Sequence, residues 1–193
     1  MVTSSSARGN RTVPASASRA CKSSHICSVD AVVFPLSLAY NVSEEMASLK
    51  QFPNFRFFMT GRSFAPSPEF DFPSNSSCDA NSPSNCNRWL TAAEALQASA
   101  QKNFLETFSA VCFMTVRDIA RLHINQRPVA LIQSAWGGTR VEAWMSSEAI
   151  AAAGSYSKDV PSRAEQNNAS VLYNAMVAPW DRFAVRAAIW YQV

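Results

Sequence analysis

Long apolar runs are missing from this sequence. Stretches such as "AVCFMTV" from Ala110 to Val116 and "PVALI" from Pro128 to Ile132 fall far short of the ~20 residues a membrane span requires, so no transmembrane segment is predicted. Runs of Lys or Arg are missing too. The formal net charge is only +3 with the charges scattered, which leaves a nucleic-acid partner without the basic stripe it needs. The first thirty residues are rich in Ser, Ala and Arg but lack the apolar centre of a secretory signal. Few of their side chains are large enough to offset the entropy of ordering, so residues 1–30 are predicted to be disordered and residues 31–193 to form the folded part. Histidine is scarce, with only His25 and His123 available for proton transfer. Of five glycines, two stand together at Gly137 and Gly138.

What is present suits one globular domain, or a large piece of one: 48% of the 193 residues are hydrophobic and 16% charged, enough to bury a core. Asn-x-Ser/Thr acceptors occur at Asn10, Asn41, Asn75 and Asn168, and Cys78 and Cys86 sit eight apart in the polar stretch "NSSCDANSPSNCNRW". Together they favour an oxidising compartment and a disulfide between Cys78 and Cys86. Cys112 lies within an apolar helical pattern and is expected in the core.

Periodicity and punctuation predict the elements. "NVSEEMASLK" has Asn41 or Ser43 as N-cap, acids in its first turn and Lys50 in its last, and suits a short helix. "NFRFFMT" (Asn54 to Thr60) reads as a strand, and residues 61–90, broken by Pro66, Pro68, Pro73 and Pro83, as an irregular excursion. From Lys102 to His123 the apolar positions Phe104, Phe108, Cys112, Val116 and Ile119 recur at three- and four-residue steps, while Arg117 and Asp118 fall elsewhere. One continuous helix is predicted there. "RPVALIQSAWGG" is an apolar strand without alternation, as in a parallel sheet buried on both faces. Helices near Ser146–Ala153 and Ala169–Pro179 and a strand at Arg186–Gln192 complete an α/β fold with a mainly parallel sheet.

In such sheets ligands collect where strand carboxyl ends turn into loops. Gly137 and Gly138 stand at such a place, where bare backbone brings N–H groups close to a ligand as an oxyanion hole requires. A tight strand-exit turn with no ligand fits a glycine pair as well. The surrounding residues are more specific. "PVALIQSAWGGTRVEAW" resembles the P-(I/V)-G-L-I-x-S-x-W-G-G-T-x-(I/V)-E-A-W block of sialate O-acetylesterases, in the SGNH (GDSL-like) esterase superfamily. "VFPLSLAYNVSEEMASLKQFPNFRFF", "FSAVCFMTVRDIARL" and "LYNAMVAPW…AIWYQ" resemble other family segments in the same order, so the resemblance runs from about Val33 to Gln192.

The resemblance implies a three-layer αβα fold, seen here in part, and removal of O-acetyl groups from sialic acids or sialoglycoconjugates by a serine, a histidine and an orienting aspartate. It implies no metal and no cofactor, and a lysosomal or secreted location. Serine attack splits ester cleavage into acylation and deacylation, with donors placed where the tetrahedral oxyanion forms. The family's nucleophile lies in G-Q-S-N-M, and the ungapped counterpart here is "SVDAV", Ser28 to Val32, so Asp30 occupies the serine position. A carboxylate attacking the ester would form an anhydride and brings no proton for the histidine to take. Ser28 would serve only if the turn were rebuilt, and Ser134 lacks a nucleophile elbow. The family's D-x-x-H has no counterpart: Lys22 precedes His25 at that spacing and Ala120 precedes His123. The G-E-(S/A)-N segment after "WYQ", whose Asn completes the oxyanion hole, is departed from at Val193.

Gly137 and Gly138 thus remain as oxyanion-hole candidates. Around them Trp136 and Trp144 suit either a sugar face or core packing, and Arg140 has the fork that binds a carboxylate. Thr139 and Glu142 complete the candidate substrate-binding set, Glu142 in a structural hydrogen-bonding role. Two functions follow: a sialate O-acetylesterase by descent, inactive in this form, or a non-catalytic carbohydrate-binding or interaction fragment of the same fold. An apolar sheet edge is expected to be left exposed.

Overall fold

The computed structural model describes residues 24–30, 33–72, 87–102, 104–124, 128–154 and 164–191. Five strands, β1 (Ser24–Asp30), β2 (Phe55–Met59), β3 (Trp89–Thr91), β4 (Val129–Ala135) and β5 (Val185–Tyr191), form one sheet in the order β3-β2-β4-β1-β5. Every pairing is parallel except that of β3 with β2. Among the described residues four α-helices accompany them: α1 (Val42–Ser48), α2 (Ala92–Lys102), α3 (Ala110–Ile119) and α4 (Ser147–Ala153).

The strand pleat sorts side chains between two cores. Phe55, Phe57 and Met59 of β2 and Val129 and Leu131 of β4 join Phe104, Phe108, Phe113 and Val116 on one face. Phe58 and Ile132, one position out of step, join Trp144, Leu172, Met176 and Trp180 on the other. Helices α1 to α3 cover the first face, and the 3₁₀ and π turns at Val141–Trp144 and Tyr173–Arg182 cover the second. The predicted three-layer αβα arrangement around a mainly parallel sheet is therefore present. All seven β4 residues are buried, as a strand covered on both sides must be. Phe57 meets Phe108 edge-on with centroids 5.3 Å apart; truncating so buried an aromatic costs about 3–5 kcal/mol.

Three expectations are corrected. Residues 24–30, expected within a disordered segment, form β1 between β4 and β5, because pairing on both sides compensates for a sequence with little apolar content. The continuous helix from Lys102 to His123 is two helices. Ser99 Oγ accepts from the Leu105 N–H at 2.7 Å, Leu105–Thr107 forms a 3₁₀ turn, and Ser109 Oγ caps α3 by accepting from Cys112 N–H at 3.2 Å. Side-chain acceptors thus replace the helical bonds across the break. The excursion after residue 61 ends at β3 and at α2, whose Thr91 and Glu94 form a capping box.

Two further expectations are corrected: Ile119, placed by its spacing on the apolar stripe, is exposed where α3 ends, and the helix expected at Ala169–Pro179 is built largely of π and 3₁₀ turns. Cys112 is buried, α1 starts after Asn41, and β5 pairs with β1, leaving Val185 and Trp190 exposed as the apolar edge. Among the described residues no helix is long and apolar enough to cross a membrane. The Cys78–Cys86 pair and Asn75 lie outside the described residues.

Candidate active site

A cleft of about 330 Å³ opens at the carboxyl end of the sheet, over β2 and β4. This is where parallel sheets place ligands. Met59 and Thr60 line it from the end of β2, Gln133 and Ala135 from the end of β4, and Val33, Pro35 and Ser37 from the segment after β1. That segment is fixed by two backbone bonds: Leu36 N–H donates to Phe108 O and Ala110 N–H to Phe34 O, each at 2.9 Å. Gln133 ties the floor together. Its backbone carbonyl accepts from Thr60 N–H at 2.8 Å, and its side-chain Oε1 accepts from Ser109 N–H at 2.6 Å.

Asp30, the last residue of β1, is in register with Ala135 of β4 and Tyr191 of β5. The position aligned with the family's nucleophile is therefore level with the cleft. Two residues past Ala135 comes the glycine turn. Gly138 has φ +75°, a conformation that favours glycine, and Gly137 and Gly138 are exposed. Among the described residues neither of their N–H groups donates to a protein acceptor. The corner is rigid on its far side, where Thr139 Oγ1 donates to Trp136 O at 2.6 Å and accepts from Trp144 Nε1–H at 2.9 Å.

Those bonds settle the alternatives for the neighbours. Trp144 is only 4% exposed and packs in the second core, so it presents no face to a sugar. Thr139 is buried with its hydroxyl engaged as a pin for the turn, and Trp136 packs against the same core. Glu142 acts through its backbone, whose carbonyl accepts from Ser170 N–H at 3.0 Å. Arg140 N–H donates to Asn167 Oδ1 at 2.9 Å. Neither these five residues nor Gly137 and Gly138 are among the described residues that line the cleft; their bonds hold the turn beside it. Ser134 is fully buried and donates to Met176 O at 2.8 Å, which removes it as a nucleophile.

The histidines belong to two separate elements. His25 is the second residue of β1, five residues from Asp30, or roughly 17 Å at 3.3 Å per residue. His123 falls in the turn that follows α3 and precedes the start of β4. Among the described residues no cluster of His, Cys, Asp or Glu has the makings of a metal site.

Sequence reasoning missed the polar lining of the cleft: Ser37, Thr60, Arg62, Thr107 and Gln133. The available signal was a polar residue closing an apolar strand, as in "FFMT" and "LIQ".

No protein-family model matches the chain. Over 92 residues it is 36% identical to the sialate O-acetylesterase of Pongo abelii and 35% identical to that of Homo sapiens. The matched segment is 46% of this chain but 17% of each relative. The fold is similar to the crystal structure of a carbohydrate acetylesterase from Xanthomonas citri, with a TM-score of 0.63 at 20% identity over 88% of this chain and 32% of that one. Nearly half of the chain is thus similar in sequence to sialate O-acetylesterases, and its αβα fold is that of a solved acetylesterase.

Proposed function

We propose that this chain carries the sugar-binding cleft of a carboxylic ester hydrolase of the sialate O-acetylesterase type and receives an O-acetylated sialic acid there without turning it over. The observation that carries the reading is one of register: Asp30 pairs with Ala135, which lines the cleft, and the Gly137–Gly138 turn begins two residues past Ala135 at the same end of the sheet. The unengaged glycine N–H groups suit a developing oxyanion. The reading without turnover is supported by the sequence: Asp30 stands at the position of the family's serine, and neither His25 nor His123 has an Asp three residues before it. What remains is recognition of the ester-bearing sugar, the non-catalytic carbohydrate-binding function. A lysosomal or secreted location belongs to the same reading, with exposed Asn41 and Asn168 as glycan acceptors.

The test is a paired measurement on the purified chain with O-acetylated sialic acid, following binding by ligand-observed NMR and acetate release by enzymatic assay. Binding is expected without acetate release above the buffer rate. Release that survives both Asp30→Ala and Ser28→Ala sinks the assignment of the reacting position, and absence of binding by the folded chain sinks the reading.

A further inference from the structure

Among the described residues that line the cleft, Arg62 is the charged one: three residues past the end of β2, it stands among hydroxyl, amide and apolar groups. Among the described residues Arg62 makes no ion pair: the bridges there join Arg88 to Glu94, Arg117 to Glu45 and Asp118, and Arg121 to Asp118. Two positions back, Thr60 is 2% exposed and its Oγ1 has no hydrogen-bond partner. A buried hydroxyl without a partner is costly and uncommon in a folded chain. A guanidinium fork and a buried hydroxyl without a partner at the β2 end of the cleft, two strands away from Asp30, match the acceptor oxygens of a carboxylate.

We propose that Arg62, with Thr60 beside it, recognises the carboxylate of an acidic sugar and sets a preference for acidic over neutral O-acetyl esters. The inference rests on the function proposed above and adds a direction to it. Strands β2, β4 and β1 are neighbours in that order, so the Arg62 end and the Asp30 end are two strand spacings apart, ~10 Å. The sugar carboxylate lies at the β2 end and the acetyl ester at the β4–β1 end, with one monosaccharide between them. Arg140, which the sequence offered for this role, lies after the glycine turn and outside the cleft lining.

The experiment compares binding of O-acetylated sialic acid and of its carboxyl methyl ester, two acetylated sugars differing in that charge, by titration calorimetry on the full chain. The native chain is expected to bind the acid at least ~10-fold more tightly at low salt, with the preference shrinking as ionic strength rises. Arg62 is exposed, so Arg62→Gln leaves the fold intact, verified by circular dichroism, and brings the two ligands to equal affinity. Arg62→Lys keeps part of the preference because the charge remains and the fork is lost. Thr60→Val weakens the acid more than the ester. Equal affinities in the native chain, or a preference that survives Arg62→Gln, overturn the inference while the sugar-binding function stands. Binding of neither sugar by the folded chain overturns the function and the inference with it.

Discussion

Gln133 at the end of β4 and Ser109 at the head of α3 are joined by a 2.6 Å hydrogen bond from the Ser109 N–H to the Gln133 side-chain carbonyl. Both residues are buried, so the bond is shielded from water and locks a helix start to the cleft floor. Replacing Gln133 by Leu strands a buried N–H and is expected to cost about 1–3 kcal/mol. The same change reshapes the cleft wall. A denaturant midpoint unchanged from the native chain would show that Ser109 finds another acceptor.

Thr91 and Glu94 cap α2 reciprocally: Glu94 N–H donates to Thr91 Oγ1 at 3.2 Å and Thr91 N–H to Glu94 Oε2 at 2.7 Å. The backbone bond from Thr91, then its hydroxyl and the charges of Arg88 and Arg56, hold the Glu94 carboxyl below its ordinary value of 4.5. The folded state therefore resists protonating this group. Its contribution to stability is complete above that ordinary value and fades as pH falls through the lower folded value. Glu94→Gln should lower the thermal midpoint at pH 7, and the gap should narrow at pH 3. A gap of constant size across that range would mean that the charge contributes nothing. Thr91→Ala removes one arm of the box and should cost about 1 kcal/mol.

Arg117 was expected on the solvent side of its helix, yet it is 8% exposed and ties α3 to α1 through Glu45. Its Nε also donates to Asp118 at 2.9 Å, which holds the Asp118 carboxyl below its usual range. Arg117→Met leaves Glu45 poorly solvated and without its cation, and should destabilise by about 2–3 kcal/mol, at or below the lower end for broken buried pairs because Glu45 keeps some water contact. Adding Glu45→Gln should restore part of the loss. Additive losses in the double variant would show that the two side chains are not coupled.

Arg117 also shows where reading by period stops. The steps through Phe104, Phe108, Cys112 and Val116 did identify buried positions, but a period counts which residues face the core and says nothing of backbone continuity. Ser99 and Ser109 broke the helix by accepting backbone N–H bonds, and those partners are fixed by tertiary structure. Strand β4 was legible because burial on both faces demands an unbroken apolar run. Strand β1 was not, because "SHICSVD" gains its order from two neighbours distant in sequence. The glycine turn was found from its local pattern. The cleft beside it was missed because four separate segments supply its described lining, and nothing in any one of them announces that Thr60, Arg62 and Gln133 converge.

Gly137 and Gly138 are adjacent but have different backbone requirements. Gly138 holds φ +75° and Gly137 has no positive φ. A Cβ built on Gly138 meets nothing within 4 Å, so Gly138→Ala costs only the backbone strain of a left-handed residue, about 1 kcal/mol. Gly137→Ala should cost less. Equal losses of thermal stability for the two would contradict the turn geometry described for this corner.

Among the described residues strand β5 forms one edge of the sheet, opposite β3. It pairs with β1 on one side, and Val185 and Trp190 are 38% and 47% exposed. Unpaired edge N–H and C=O groups beside apolar side chains template association with another strand. The chain is therefore expected to self-associate as its concentration rises, measured by analytical ultracentrifugation. Val185→Lys puts a charge on that edge at an exposed position, so it should suppress the association without lowering the thermal midpoint appreciably. Association that Val185→Lys leaves unchanged would have to arise from another surface, because a lysine at an edge position opposes strand addition whichever direction the incoming strand runs.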